Sequence, residues 1–282
     1  MNIKKIFVIG TGTMGVGICQ VALTKGYDVT VATSKPIEIA TEKIDKALSK
    51  AVAKQKLSED GKLESLKRFS ATNNLEDAKD ADLVIEAVSE NMELKESYFK
   101  RLDEICKSET ILASNTSSLS VTNIASKTKR MDKVIGIHFF NPVPAMKLVE
   151  IVKNMFCSQE TIDIATEFVK SLDKEVIFSN DTPGFIVNYL QYPFRLHAIR
   201  MVEIGIATPE EIDKAAKLGL GHPMGPLELQ DLVGLDVTYN AVSAIYEETK
   251  DPMMAPPVLM KRMVEAGLLG RKTGRGFYQY NK

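Results

Sequence analysis

Lys4-Lys5-Ile6-Phe7-Val8-Ile9-Gly10-Thr11-Gly12-Thr13-Met14-Gly15 is the stretch that decides the fold. Ile6 to Ile9 reads as a buried strand. Gly10, Gly12 and Gly15 follow with G-x-G-x-x-G spacing, just before a helical stretch in which Met14, Ile18, Val21 and Ala22 recur on one face. In such an arrangement the first glycine makes the tight turn, the second lets a pyrophosphate approach the backbone, and the third packs helix on strand. Backbone N–H groups at the helix start, around Thr13 and Met14, then face the phosphates. Val29-Thr30-Val31-Ala32 supplies the next strand, and the whole context points to a dinucleotide, NAD(P) or FAD.

Working outward, further strand-like runs alternate with helical patterns at Leu83 to Ile85, Ile111 to Ala113, Val134 to Ile137, Leu148 to Val152 and Glu175 to Phe178. That alternation predicts an α/β fold of Rossmann type, with a mostly parallel sheet covered by helices on both faces. A lysine-rich helical stretch, about 37–67, is broken at Ser58-Glu59-Asp60-Gly61 and reads as a helical hairpin projecting from this domain. After Asp181-Thr182-Pro183-Gly184 the strand pattern stops and the periodicity becomes helical, with Thr208-Pro209-Glu210-Glu211 as a helix start. The expected organisation is a nucleotide-binding domain over 1–183 and an all-helical C-terminal domain over 184–282, which is expected to carry the substrate and to pair two copies as a homodimer. A helical lid packed on its own nucleotide domain is the alternative.

Composition narrows the function classes. The 282 residues are 44% hydrophobic and 26% charged, which is ordinary for a globular chain. With 36 basic and 37 acidic residues the net charge is -1, so no global field draws the chain to nucleic acid or to an anionic membrane. No signal peptide is recognisable and no apolar stretch is long enough for a bilayer span. Cys19, Cys106 and Cys157 are widely spaced and odd in number, which points to neither disulfides nor a metal site and suits a reducing cytoplasm.

Chemistry concentrates around one histidine. His138 and Glu150 each stand six residues from Pro144, so a chain that folds back at the Pro142-Val143-Pro144 turn brings them level. Glu150 lies between Leu148-Val149 and Ile151-Val152, where an unpaired carboxylate is costly to bury, so it needs a partner. Such a pair supplies a general base whose tautomer is fixed by the carboxylate; a structural hydrogen bond at a strand end is the plainer reading. Ser114-Asn115-Thr116-Ser117-Ser118 follows a strand, at the carboxyl edge where open α/β sheets bind ligands, although the same residue types also cap helices.

Together these residues support a recognition. Gly10-x-Gly12-Thr13-Met14-Gly15, Ser114 to Leu119, His138-Phe139-Phe140-Asn141-Pro142, Lys147 to Glu150, Asp181 to Asn188, His222 to Pro226 and Lys272-Thr273-Gly274-x-Gly276-Phe277-Tyr278 closely resemble the 3-hydroxyacyl-CoA dehydrogenases, in order and from end to end. The resemblance is greatest to the bacterial enzymes acting on 3-hydroxybutyryl-CoA. It implies that His138 is the catalytic acid/base, that Glu150 orients it, and that Ser117 and Asn188 hydrogen-bond the reacting oxygens of an acyl-CoA substrate. It also implies that Glu90, Lys95 and Asn115 lie near the cofactor. Lys46, Lys50 and Lys54 recur every four residues on one helical face, and by the same resemblance Lys50 and Lys54 meet the phosphates of coenzyme A. A solvated face is the other meaning of such a stripe.

One departure concerns the cofactor. Where NAD-using members end the second strand in an acid that bonds the ribose 2′-hydroxyl, this chain has Thr33, followed by Ser34 and Lys35. With no carboxylate to repel a 2′-phosphate, the cofactor is expected to be NAD or NADP, leaning to NADP. Tyr189 also replaces the usual basic residue after Asn188. Two other readings stay open: a dehydrogenase of free hydroxy acids, which would use a lysine that is missing near Asn188, and a crystallin-like or cofactor-sensing relative without turnover.

Overall fold

The computed structural model describes residues 3–280. The chain divides into two compact units, Met1–Thr182 and Pro183–Lys282.

The first unit is built on a sheet of eight strands. They are β1 (Lys5–Ile9), β2 (Asp28–Ala32), β3 (Phe69–Thr72), β4 (Leu83–Glu86), β5 (Ile111–Ser114), β6 (Val134–Phe139), β7 (Leu148–Lys153) and β8 (Glu175–Asn180). Their order is β3-β2-β1-β4-β5-β6-β7-β8. The first six strands are parallel, β7 runs antiparallel to β6, and β8 is parallel to β7. The order reverses between β1 and β4, which opens a crevice at the carboxyl ends of those strands. Ile9 is level there with Glu86, and Glu86 with Ser114.

Burial follows this arrangement. β4, β5 and β6 are buried along their whole length, as central strands covered on both faces must be. The edge strand β3 is the element that the sequence reading passed over. Phe69-Ser70-Ala71-Thr72 is short, half exposed and carries no apolar run, so its pairing with β2 is decided by neighbours rather than by its own pattern.

Helix α1 (Thr13–Thr24) packs Ile18, Cys19, Ala22 and Leu23 onto the sheet. Helix α2 (Ile37–Ala53) is followed by α3 (Glu59–Lys67). The expected projecting hairpin is anchored to the core. Ala40, Ile44 and Leu48 are buried at four-residue spacing, and Lys62 of α3 ties back to Asp45 at 2.7 Å and Ser49 at 2.8 Å. The opposite face of α2 exposes Lys46 and Lys50, with Lys54 exposed at its end. Helices α4 (Met92–Ile105), α5 (Val121–Ala125) and α6 (Gln159–Ser171) complete the unit. Asp181 caps α5, its carboxylate accepting from the Ser120 hydroxyl at 2.8 Å and the Val121 N–H at 2.9 Å.

The second unit is helical: α7 (Val187–Glu203), α8 (Pro209–Gly219), α9 (Pro226–Val233), α10 (Leu235–Thr249) and α11 (Val258–Glu265). Its core gathers Leu196, Ile199, Leu227, Val242, Ile245 and Met260. Thr208 and Glu211 form a reciprocal capping box at the start of α8. Two buried aspartates hold the rest. Asp231 accepts from the N–H groups of Phe277 at 3.0 Å and Tyr278 at 2.9 Å, and Asp213 accepts from the Leu227 N–H and the Tyr278 hydroxyl at 2.8 and 2.7 Å. A Cβ on Gly276 would lie 2.0 Å from the Asp231 carboxylate, and one on Gly225 2.2 Å from Asp213 Cγ, so both glycines are there for close approach. The Gly225-Pro226 and Gly274 to Tyr278 motifs are therefore latches that fasten the tail to α8 and α9.

Candidate active site

The glycine turn separates into two kinds of requirement. Gly10 has φ of 108°, and a Cβ there would lie 2.6 Å from the Ala87 carbonyl oxygen; a Cβ on Gly15 would lie 1.9 Å from the Gly10 oxygen. The chain itself demands those glycines. Gly12 is different: a Cβ would meet nothing within 4 Å, and the residue is exposed at the N-cap of α1. Keeping Gly12 bare leaves room for something that approaches from outside. The first turn of α1 carries no acidic residue, so its N–H groups and the positive end of its dipole suit a pyrophosphate.

At the end of β2, Thr33 is buried while Ser34 and Lys35 are exposed. The Thr33 hydroxyl lies 3.2 Å from that of Thr11 and accepts from the Lys35 N–H at 3.1 Å. Asn73 donates to the Lys35 carbonyl at 2.8 Å, and Lys43 donates to the Thr11 carbonyl at 2.8 Å. Hydroxyls, amides and an ammonium hold this corner.

Glu90 and Lys95, expected near the cofactor, belong to one charge cluster in which Lys95 is buried and Glu90 lies on the exposed side. Lys95 is only 1% exposed and lies 2.7 Å from Glu86, itself buried, and 3.3 Å from Glu90. Glu86 also accepts from the Ser114 hydroxyl and the Val88 N–H, both at 2.7 Å. Glu90 gathers the loop after β5, accepting from the Thr116 hydroxyl at 2.5 Å, the Ser117 N–H at 2.9 Å and the Ser117 hydroxyl at 3.3 Å. Burial pushes the Glu90 carboxyl up, but Lys95 and the bonds from Thr116 and Ser117 outweigh it and hold the group below its ordinary range. Glu86 is the residue that sequence reasoning missed. Its signal was present, an acid ending the apolar run Leu83-Val84-Ile85, and it is the same signal that singled out Glu150.

His138 and Glu150 face each other across the antiparallel β6–β7 pair, with Nδ1 2.6 Å from Oε2. Glu150 is fully buried and His138 is 6% exposed. The Nδ1–H donates to the carboxylate, which fixes the tautomer and turns Nε2 to the opposite side of the ring. The Phe140 ring packs on the imidazole at 4.5 Å between centroids. The turn between the two strands is held from beneath by Lys174, whose ammonium donates to the carbonyls of Val143 and Met146 at 2.7 Å each. Asn115 accepts from the Phe139 N–H at 2.9 Å and so joins the ends of β5 and β6. His138 thus stands at the same carboxyl edge as Gly10, Glu86 and Ser114.

Residues 5–182 match the family description "3-hydroxyacyl-CoA dehydrogenase, NAD binding domain", and residues 184–280 match its C-terminal domain. The chain belongs to the 3-hydroxyacyl-CoA dehydrogenase family. It is 49% identical to a 3-hydroxybutyryl-CoA dehydrogenase of Clostridioides difficile over 99% of this chain and 100% of that one. It is 44% identical to the mitochondrial hydroxyacyl-coenzyme A dehydrogenase of Sus scrofa over 99% of this chain and 91% of that one. The solved structure of (S)-3-hydroxybutyryl-CoA dehydrogenase from Ralstonia eutropha superimposes with a TM-score of 0.96 at 40% identity, with both chains covered in full. The resemblance read from the motifs is thereby borne out, as is the Rossmann-plus-helical fold class.

The remaining expected site residues of this 3-hydroxyacyl-CoA dehydrogenase family member are Lys50, Lys54 and Asn188. Lys50 and Lys54 lie exposed along and just beyond α2. Asn188 is the second residue of α7 in the helical unit, 5% exposed, with its side-chain oxygen accepting from Gln191 at 3.0 Å. Among the described residues no group of His, Cys, Asp and Glu could hold a metal ion, and no helix is long and apolar enough to cross a membrane.

Proposed function

We propose that the chain interconverts (S)-3-hydroxybutyryl-CoA and acetoacetyl-CoA, with His138 as the acid/base and Glu150 as the carboxylate that orients it. The observation that carries this reading is the buried 2.6 Å contact between the two, at the sheet edge where the glycine turn opens. The substrate class is supported by the names of the full-length relatives. In the oxidative direction His138 Nε2 takes the 3-hydroxyl proton, and Glu150 stabilises the imidazolium that forms. In the reductive direction the same nitrogen returns the proton to the forming alkoxide. Ser117 and Asn188 hydrogen-bond the reacting oxygens, where donors stabilise developing charge.

The residues present fit a nicotinamide cofactor. Gly10, Gly12, Thr13, Met14 and Gly15 would hold its pyrophosphate, Thr33, Ser34 and Lys35 its adenosine ribose, and Glu90, Lys95 and Asn115 its other end. When bound, it supplies the hydride acceptor or donor for C3 of the acyl group. The corner at Thr33 favours acceptance of NADP(H), because hydroxyls and a lysine replace the carboxylate that selects a free 2′-hydroxyl. Lys50 and Lys54, exposed on one helical face, suit the phosphates of coenzyme A.

The helical unit is read as the surface through which two copies pair. Leu190, Ile204, Leu218 and Leu220 are 71%, 70%, 78% and 65% exposed, and Phe194, Met201, Ile212 and Leu220 line an apolar groove. Sedimentation should give a dimer, and a monomer at micromolar concentration would remove this part of the reading.

The function is tested by following NADH and NADPH oxidation with acetoacetyl-CoA for wild type and His138→Ala. Turnover by the wild type, lost in the variant, is expected. Equal rates for the two proteins would leave only a nucleotide-binding protein.

A further inference from the structure

Helix α7 carries a polar stripe whose ends, Asn188 and Arg195, are buried and whose middle residue, Gln191, is half-buried. Asn188, Gln191 and Arg195 stand at i, i+3 and i+7, on one face. Arg195 is 3% exposed, and among the described residues no carboxylate pairs with it. Its Nη2 donates to the Thr238 hydroxyl at 2.8 Å, which in turn donates to the Gln230 side-chain oxygen at 3.2 Å. Its Nη1 donates to the Gln191 side-chain oxygen at 3.5 Å, and Gln191 donates to the Asn188 oxygen at 3.0 Å. The Nε of Arg195 and the Nε2 of Gln230 are buried with no partner among the described residues.

A buried guanidinium without a carboxylate is a costly way to fill a helix core, since apolar residues of similar volume would pack there at least as well. Burial lowers the Arg195 pKa to about 10, so the group stays charged at neutral pH. What the guanidinium adds is direction. It has five donors and no acceptor, so it meets only the oxygen of the Gln191 amide. The Gln191 nitrogen must then point along the helix to the Asn188 oxygen. With its oxygen engaged in this way, Asn188 presents its amide nitrogen, a donor, from the other side of the carboxamide.

We propose that Gln191 is a positioning residue for Asn188, and that Arg195 sets the direction of this relay so that Asn188 acts as a hydrogen-bond donor to the substrate oxygen. The inference rests on the role given to Asn188 above. It adds residues that do not themselves touch the substrate.

Gln191→Glu separates this role from a structural one. The new carboxylate gains an ion pair with Arg195, so the melting temperature should hold or rise. Yet it offers Asn188 only oxygens, and the Asn188 amide should turn its nitrogen toward them. The kcat for acetoacetyl-CoA reduction should fall by about tenfold or more, the range seen when one donor to a developing oxyanion is lost, with KM for the reduced cofactor unchanged. In an Asn188→Ala background the same substitution should cost nothing further, because the relay acts through Asn188. Gln191→Met, which removes both the donor to Asn188 and the acceptor of Arg195, should lower kcat as well, with some loss of melting temperature, and serves if the glutamate variant folds poorly. If Asn188→Ala loses activity while both Gln191 variants keep kcat within twofold of wild type, the relay is wrong and the role of Asn188 stands. If Asn188→Ala itself keeps wild-type kcat, the role of Asn188 fails and the relay with it.

Discussion

Glu150 lies directly across the β6–β7 ladder from His138, and its carboxylate contacts the imidazole Nδ1 at 2.6 Å with no exposure to solvent. A carboxylate so placed stabilises the protonated ring without competing water. Glu150→Gln keeps an acceptor for the Nδ1–H and nearly the same volume, but removes the charge. Its kcat for acetoacetyl-CoA reduction should fall by about 10²-fold, within the usual contribution of positioned acid/base catalysis. A value within twofold of wild type in steady-state assays would mean that the pair is structural.

The Lys95 ammonium stands between Glu86, which is fully buried, and Glu90, which is partly open to solvent. Lys95→Met leaves two carboxylates without their cation and should destabilise the fold by about 3–5 kcal/mol in urea titration. The same cluster sets an acid limit. Glu90 is held below its ordinary value of 4.5, so between the folded and unfolded values the unfolded chain binds more protons. Its stabilising contribution is present above that ordinary value and is lost as the pH falls through the folded one. Wild-type stability should therefore drop on acidification below about pH 4.5, and more gently in Lys95→Met. Parallel acid profiles for the two proteins would contradict this account.

Gly12 and Gly15 make opposite predictions although they belong to one motif. A Cβ at Gly15 would overlap the Gly10 oxygen, whereas one at Gly12 meets no protein atom. Gly15→Ala should lower the melting temperature, whereas Gly12→Ala should leave it unchanged and weaken NADH binding by about tenfold, the cost of a misfit at a phosphate. Fluorescence titration beside thermal melts distinguishes the two. Tight NADH binding by Gly12→Ala would show that this turn does not approach the cofactor.

Thr33 is the position where a single carboxylate should reset cofactor choice. Thr33→Asp places a negative charge beside Thr11 and Lys35, against a 2′-phosphate. The ratio of kcat/KM for NADPH to that for NADH should fall by about tenfold or more, as expected for a charge repulsion of at least 1.4 kcal/mol. An unchanged ratio would put the ribose elsewhere.

The lysines on α2 are exposed, so their contribution should be electrostatic and sensitive to salt. Lys50→Glu with Lys54→Glu should raise KM for acetoacetyl-CoA several-fold at low ionic strength, with the effect fading at high salt and the melting temperature unchanged. If KM is the same at low salt, the stripe is a solvated face and nothing more.

The sequence by itself determined the sheet, the glycine turn, the change to a helical second half and the pairing of His138 with Glu150. Each is written in spacing: apolar runs, glycines at fixed offsets, and equal distances from a proline turn are local quantities that survive without coordinates. Only the tertiary structure decided that Lys95 is buried between Glu86 and Glu90, that β3 joins the sheet, that Gly12 alone of the three fingerprint glycines leaves open space, and that Arg195, Gln191 and Asn188 form one directed chain. The physical reason is the same in each case. Whether a charge is solvated or paired, and whether a Cβ has room, depends on atoms brought in from distant segments, and a linear pattern carries no record of what will stand across the gap.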